Sequence, residues 1–242
     1  MLPYRCTLLA GLAIVLLLLG LMAGHSPAEP AAEVYAPVAP APAVHAALRD
    51  NLKTVEDWLD RKDYLSAAQS TQAVTALAQL YGYQGNDATW REKTTSLAEA
   101  SSRLASAARN KDATACTKQV QECNRLLDDL AKAAPGDRVA DKKFKLQGSN
   151  KTWMLLMDDA VNEGLAAKKP ADMEQQAGAL AEEANAVQFL RPDAAWRQSF
   201  QDVRAAALDA AGKAKGKDLD GAKLAMKMAY QRCQACHDKS RR

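Results

Sequence analysis

From Val44 to the C-terminus the chain is almost continuously helix-forming, with apolar residues recurring at three- and four-residue intervals and only short turn signals between the runs. A chain patterned in this way has few folds open to it, because amphipathic helices joined by short connections pack antiparallel into bundles. The breaks predict helices at 44–61, 63–82, 87–110 and 112–133, then at 149–168, 171–190, 193–215 and 218–239. Gly82, Gly85 and Asn86 punctuate the first set, and Ala134-Pro135-Gly136-Asp137 ends it. Pro170, Pro192 and Gly216 mark turns in the second. The expected fold is all-α, two tandem four-helix bundles at 44–134 and 149–242, joined by a charged connector. Composition agrees, since aromatics make up only 5% of the chain while Ala, Leu, Lys, Glu and Gln abound.

Ahead of the bundles, Arg5 precedes an apolar run from Thr7 to Ala23 without charge, the pattern of an export signal. Residues 1–26 therefore read as a signal peptide or an N-terminal membrane anchor, the run at 7–23 being long for the first and short for the second. Cys6 lies before the run, where a lipidated cysteine would follow it. The Ala/Pro-rich stretch 27–43 reads as an extended linker. A periplasmic location follows, either soluble or tethered to the inner membrane. The formal net charge is +3, and no basic stripe interleaved with aromatics appears, so a nucleic-acid partner is not expected.

The halves resemble each other internally. Asp87-Ala88-Thr89-Trp90-Arg91 matches Asp193-Ala194-Ala195-Trp196-Arg197, and Lys111-Asp112 matches Lys217-Asp218, all at an offset of 106. A duplication accounts for this. With four residues inserted at the following turn, Cys123 falls on Cys233, while Leu126 and Leu127 replace the cysteine and histidine that follow it. Read so, the first bundle carries no haem and Cys123 is a relic. Cys116 and Cys123 lie seven residues apart on one predicted helix, about 10.5 Å along its axis, beyond the roughly 7 Å that a disulfide spans. Trp58, Tyr64, Tyr81 and Tyr83 read as core and turn residues.

Near the C-terminus stands Cys233-Gln234-Ala235-Cys236-His237. Two thiols three residues apart with an adjoining imidazole suit one task, the attachment of haem c through two thioethers with His237 as proximal iron ligand. Chance placement of this pattern is on the order of one in a thousand over a chain of this composition. A structural zinc site would need further ligands, and the remaining histidines, His25 and His45, lie near the N-terminus, outside the expected bundle interiors.

With the motif at the end of the last predicted helix, any distal iron ligand must come from upstream. Four predicted helices, Trp196 at the start of the third, and Ala229-Tyr230-Gln231-Arg232-Cys233-Gln234-Ala235-Cys236-His237-Asp238 together resemble the class II c-type cytochromes, the cytochrome c prime family. The resemblance covers residues 149–242, and only the haem motif within it is specific. It implies that Cys233 and Cys236 carry the thioethers, that His237 is the proximal ligand, and that the bundle's first helix faces the distal side. That helix reads Lys151-Thr152-Trp153-Met154-Leu155-Leu156-Met157-Asp158. Low-spin members use a first-helix methionine as sixth ligand, whereas others leave the iron five-coordinate. Met157 aligns with the family's helix better than Met154 but is followed by Asp158 where the family has a basic residue. Both methionines would also serve as core filling, as would Met226 and Met228 on the motif's own helix.

Three functions are therefore expected in competition. One-electron transfer to a redox partner protein without substrate turnover predicts a distal methionine. Binding of small gases such as NO or CO predicts an apolar residue over an open position. A structural or interaction module stabilised by haem predicts a large exposed apolar face on 44–133. Lys239, Arg241 and Arg242 beside the motif would steer an acidic partner or pair with propionates, and Arg197 is a further candidate for the propionates. A homodimer is compatible with all three.

Overall fold

A computed structural model describes residues 34–240, of which Lys239 and Ser240 are described in backbone only. The export segment with Arg5, Cys6 and the run at 7–23, His25, the first part of the expected linker, and Arg241 and Arg242 lie outside the described residues. No helix among the described residues is long and apolar enough to cross a membrane.

The protein is all-helical in its described part: α1 (Ala41–Asp60), α2 (Tyr64–Gly82), α3 (Ala88–Arg109), α4 (Ala113–Lys132), α5 (Asn150–Ala166), α6 (Pro170–Val187) with a 3-10 turn (Gln188–Leu190), α7 (Ala194–Lys215) and α8 (Leu219–Ser240). Local chemistry sets these boundaries. Asp63, Asp87, Asp112, Ser149 and Asp193 each accept a hydrogen bond from a backbone N–H in the first turn of the helix they precede. Asp218 does the same for α8 through the N–H of Gly221, 2.9 Å away. Three of the turns use one device, a Lys-Asp pair whose lysine is left-handed: Lys62 (φ 58°), Lys111 (φ 56°) and Lys217 (φ 65°). In each, the lysine and aspartate N–H groups return to the last turn of the preceding helix, as with Lys111 to Ala108 O and Asp112 to Ala107 O. The same aspartate then caps the next helix, so two residues reverse the chain.

α1 packs on α2 and α4, α2 on α3, and α3 on α4, closing one ring of four helices. α5 packs on α6 and α8, α6 on α7, and α7 on α8, closing a second. The rings meet where α1 lies against α6 and α2 touches α5. Gly178, in the middle of α6, lets α1 come close, since a Cβ there would stand 2.7 Å from that of Ala43. The interior is chiefly alanine and leucine, with Trp90 and Trp153 buried. His45 differs from expectation: it lies on α1 inside the first ring, half-buried, with Nδ1 3.1 Å from the Tyr81 hydroxyl.

The segment before α1 corrects the linker reading from residue 34 onward. Tyr35 is fully buried and pairs with Asp141 in an antiparallel bridge. Its ring stacks on Phe144 at 3.9 Å between centroids and meets Tyr83 and Phe189 edge-on. Its hydroxyl donates to Glu182 Oε1 at 2.5 Å. The N–H groups of Val38 and Ala39 donate to Glu182 Oε2, each at 2.8 Å, and Asn185 Nδ2 donates to the Ala36 carbonyl. Burial, and then the neighbouring Glu182 carboxylate, push the Tyr35 hydroxyl well above its ordinary pKa and keep it a donor. The segment is a strap seated on α6. Tyr35→Phe keeps the ring and removes one bond to a charged acceptor, so urea unfolding at neutral pH should show a loss of ~1.5–3 kcal/mol.

Candidate haem-attachment site

One helix and its 3.6-residue repeat bring the motif together. Cys233, Cys236 and His237 fall within an arc of about 100° on α8. They line a hollow of ≈ 160 Å³ with Met154 and Met157 from α5 and with Trp196, Phe200 and Val203 from α7. A second hollow of ≈ 240 Å³ lies between α5 and α8, lined by Lys151, Leu155, Asp158 and Tyr230. It shares Met154, Met157, Cys233 and His237 with the first. Met157 is 2% exposed and Met154 partly buried. Both cysteines are half-buried and His237 is at the surface. Burial, with the adjoining Cys236 and Asp158 in second and third place, pushes the Cys233 thiol up to about 11.

The arrangement joins the motif to the first helix of its ring, as the sequence reading expected, and adds residues that reading missed. Arg191, in the loop before α7, lies over the Trp196 ring with 4.3 Å from guanidinium carbon to ring centroid, and Arg232 precedes the motif on α8. Both line the first hollow. Arg197 lines neither hollow, being turned about 100° from Trp196 along α7. The only signal for Arg191 in the sequence is its place beside Pro192, which says nothing about the tertiary approach to α8. Of the two methionines on α8, Met226 is buried as expected, whereas Met228 is exposed.

The donor set fits a haem. Two thiols and an imidazole share one face, apolar side chains wall the hollow, and two guanidinium groups stand where carboxylates of a bound ligand would be neutralised. Among the described residues no three His, Cys, Asp or Glu side chains converge as ligands for a bare metal ion. An iron held here would thus draw most of its ligands from a macrocycle, with His237 supplying one more.

The other ring shows what the same framework holds without the motif. Trp90 Nε1 donates to Tyr81 O at 2.9 Å and Trp196 Nε1 to Val187 O at 3.0 Å, matching across an offset of 106. The turns at Lys111 and Lys217 match at that same offset and have equal length. No four-residue insertion stands there, which corrects the register. Cys123 corresponds to Ala229, both fully buried, and Leu127 and Leu130 stand where Cys233 and Cys236 do. Cys123 is a core residue at a small-residue position, its thiol pushed up to about 12 mainly by burial.

No family model matches the chain, and neither the curated proteins nor the solved structures compared with it give a match. In the haem-free, reduced chain, the rate of iodoacetamide alkylation at Cys233 should rise about tenfold per pH unit from pH 7 to 10, because the thiolate is the nucleophile. Peptide mass spectrometry would read this, and a plateau below pH 9 would contradict the elevated thiol.

Proposed function

We propose that the chain is a c-type cytochrome of the cytochrome c prime kind, two four-helix bundles in tandem with one haem on the second. Cys233 and Cys236 would carry the thioethers, and His237 would be the proximal ligand. Its task on this reading is single-electron transfer in the periplasm, without substrate turnover. The observation that carries the reading is the burial of Met157 in the hollow shared by Cys233, Cys236 and His237. When bound, the haem would supply a one-electron couple, and thioether ligation favours reversible transfer at a raised potential.

The chain's own residues have the remaining work. Trp196, Phe200 and Val203 exclude water from one side of the hollow. Arg191, lying over the Trp196 ring, and Arg232 are suited to orient propionates. Lys151 and these arginines make the rim basic, which favours an acidic redox partner. In the first bundle Leu127 and Leu130 fill the place of both cysteines, which supports a single haem per chain. An interaction module is less well supported, because Leu65 is the one large apolar side chain exposed on residues 44–133 among those described.

Co-expression with haem-attachment machinery should give a covalent haem that Cys233→Ala combined with Cys236→Ala abolishes. The reduced spectrum should be low-spin and unaffected by carbon monoxide. Met157→Leu conserves volume, at a cost below ~1.5 kcal/mol, yet should turn the spectrum high-spin and sensitive to carbon monoxide. A wild-type spectrum that already shifts with carbon monoxide would replace electron transfer by gas binding.

A further inference from the structure

A cleft of ≈ 390 Å³ opens where α1 meets α5 and α6, away from the haem-attachment site. Its mouth carries the exposed carboxylates of Asp50, Asp57, Asp159 and Glu163. Its floor is Glu183, 1% exposed, whose Oε2 has no hydrogen-bond partner. Among the described residues Lys53 is the one cation lining the cleft, against five carboxylates. Among the described residues, the single side-chain hydrogen bond to these acids is that from Gln176 Nε2 to Asp50 Oδ2, at 2.9 Å, and none of the five is in an ion pair.

Glu183 is not there for packing. The position 106 residues earlier holds Leu77, equally buried, so the framework accepts an apolar side chain at this point. A buried carboxylate without a partner costs several kcal/mol. Glu182, its neighbour, shows how this chain satisfies a buried acid that serves structure, with four donors around it. Glu183 has no such set and faces the cleft instead. Burial first, then the charges of Asp159 and Glu182, push its carboxyl well above the ordinary range, a penalty that a cation in the cleft would relieve.

The kind of cation follows from how the charges are spread. No three of the acids converge as ligands for a metal ion. They are distributed along a cleft of the size that small organic ligands occupy, with Ala47, Leu156 and Ala160 as apolar wall between them. The cleft also continues past Asn51, Thr54 and Asp159 into a neighbouring hollow lined by Ser66, Gln69 and Gln72. Separated positive charges joined by methylene stems fit a trough of this kind, and a point charge does not. We propose that the junction of the two helical rings binds a linear aliphatic di- or polyamine, one ammonium group reaching Glu183 and the others the carboxylates at the mouth.

Isothermal titration of the full chain with spermidine and with 1,4-diaminobutane would test this, with CaCl₂, MgCl₂ and NaCl at matched ionic strength as comparisons. The expected result is saturable binding of one spermidine per chain, weakened at least tenfold by Glu183→Gln. Glu183→Leu, copying Leu77, should abolish binding and raise the unfolding midpoint. Should the floor variants not fold, the exposed pair Asp50→Asn with Glu163→Gln carries the test, and a tenfold loss is again expected. Absence of saturable heat, affinity unchanged in folded variants, or equal binding of calcium or magnesium would each overturn the proposal.

Discussion

The buried carboxylate of Glu182 is the contact on which the relative placement of the two helical rings depends. A charged group taken out of water is tolerated only when its oxygens are fully hydrogen-bonded. Here the contact joins three separate parts of the chain: the Tyr35 hydroxyl and the N–H groups of Val38 and Ala39 in the strap and Gln84 just after α2 are the donors, and Glu182 on α6 is the acceptor. Removing any donor leaves a buried acid short of partners, so strap, first ring and second ring are bound into one arrangement. The rings of Tyr35, Tyr83, Phe144 and Phe189 pack around the same point and shield it. With the strap seated, α1 starts at Ala41 directly against Gly178, and the cleft floored by Glu183 lies further along the same helix pair.

Each ring is built from local rules that the sequence displays openly. Aspartate caps, Lys-Asp turns and prolines at helix starts delimit the helices, and these signals act within a few residues of themselves. For this reason the predicted segments agree with the helices to within three residues at each end. The internal likeness was legible for the same reason, since Asp87, Trp90 and Lys111 do their work through contacts that Asp193, Trp196 and Lys217 repeat.

What escaped the sequence was set by tertiary partners. Residues 34–40 have the composition of a linker, and only an acid about 145 residues away makes them a strap. The pairing of Cys123 with Cys233 was attractive because cysteine is rare, but the equal turns at Lys111 and Lys217 impose a register that pairs it with Ala229 instead. At the candidate site the motif was readable from spacing, and the two methionines from the resemblance that the motif's position suggested. Arg191 was not, because its approach depends on how the loop before α7 folds back over Trp196. Glu183 was hidden most thoroughly: nothing in the run Leu180-Ala181-Glu182-Glu183-Ala184 marks either acid as interior, and both are buried.

Helix α5 ties these features together, since it packs on α6 and α8 in its own ring and touches α2 of the other. Thr152, Leu156, Asp159 and Glu163 share an arc of about 60° on one side, the side toward α1. Met154, Met157 and Val161 occupy an arc of similar width centred on the other, toward α8. A helix buried along a single stripe would leave one of these faces to water. Here the first ring covers part of the second face, burying Thr152 and Leu156 while Asp159 and Glu163 open to the cleft. The ring without the motif thus has a physical use beside the one proposed to carry a haem, because it covers Thr152 and Leu156 of the helix that presents Met157 to the hollow. Lys151 and Leu155 stand between the two faces and line hollows on both sides, so the faces are joined through side chains as well as through backbone.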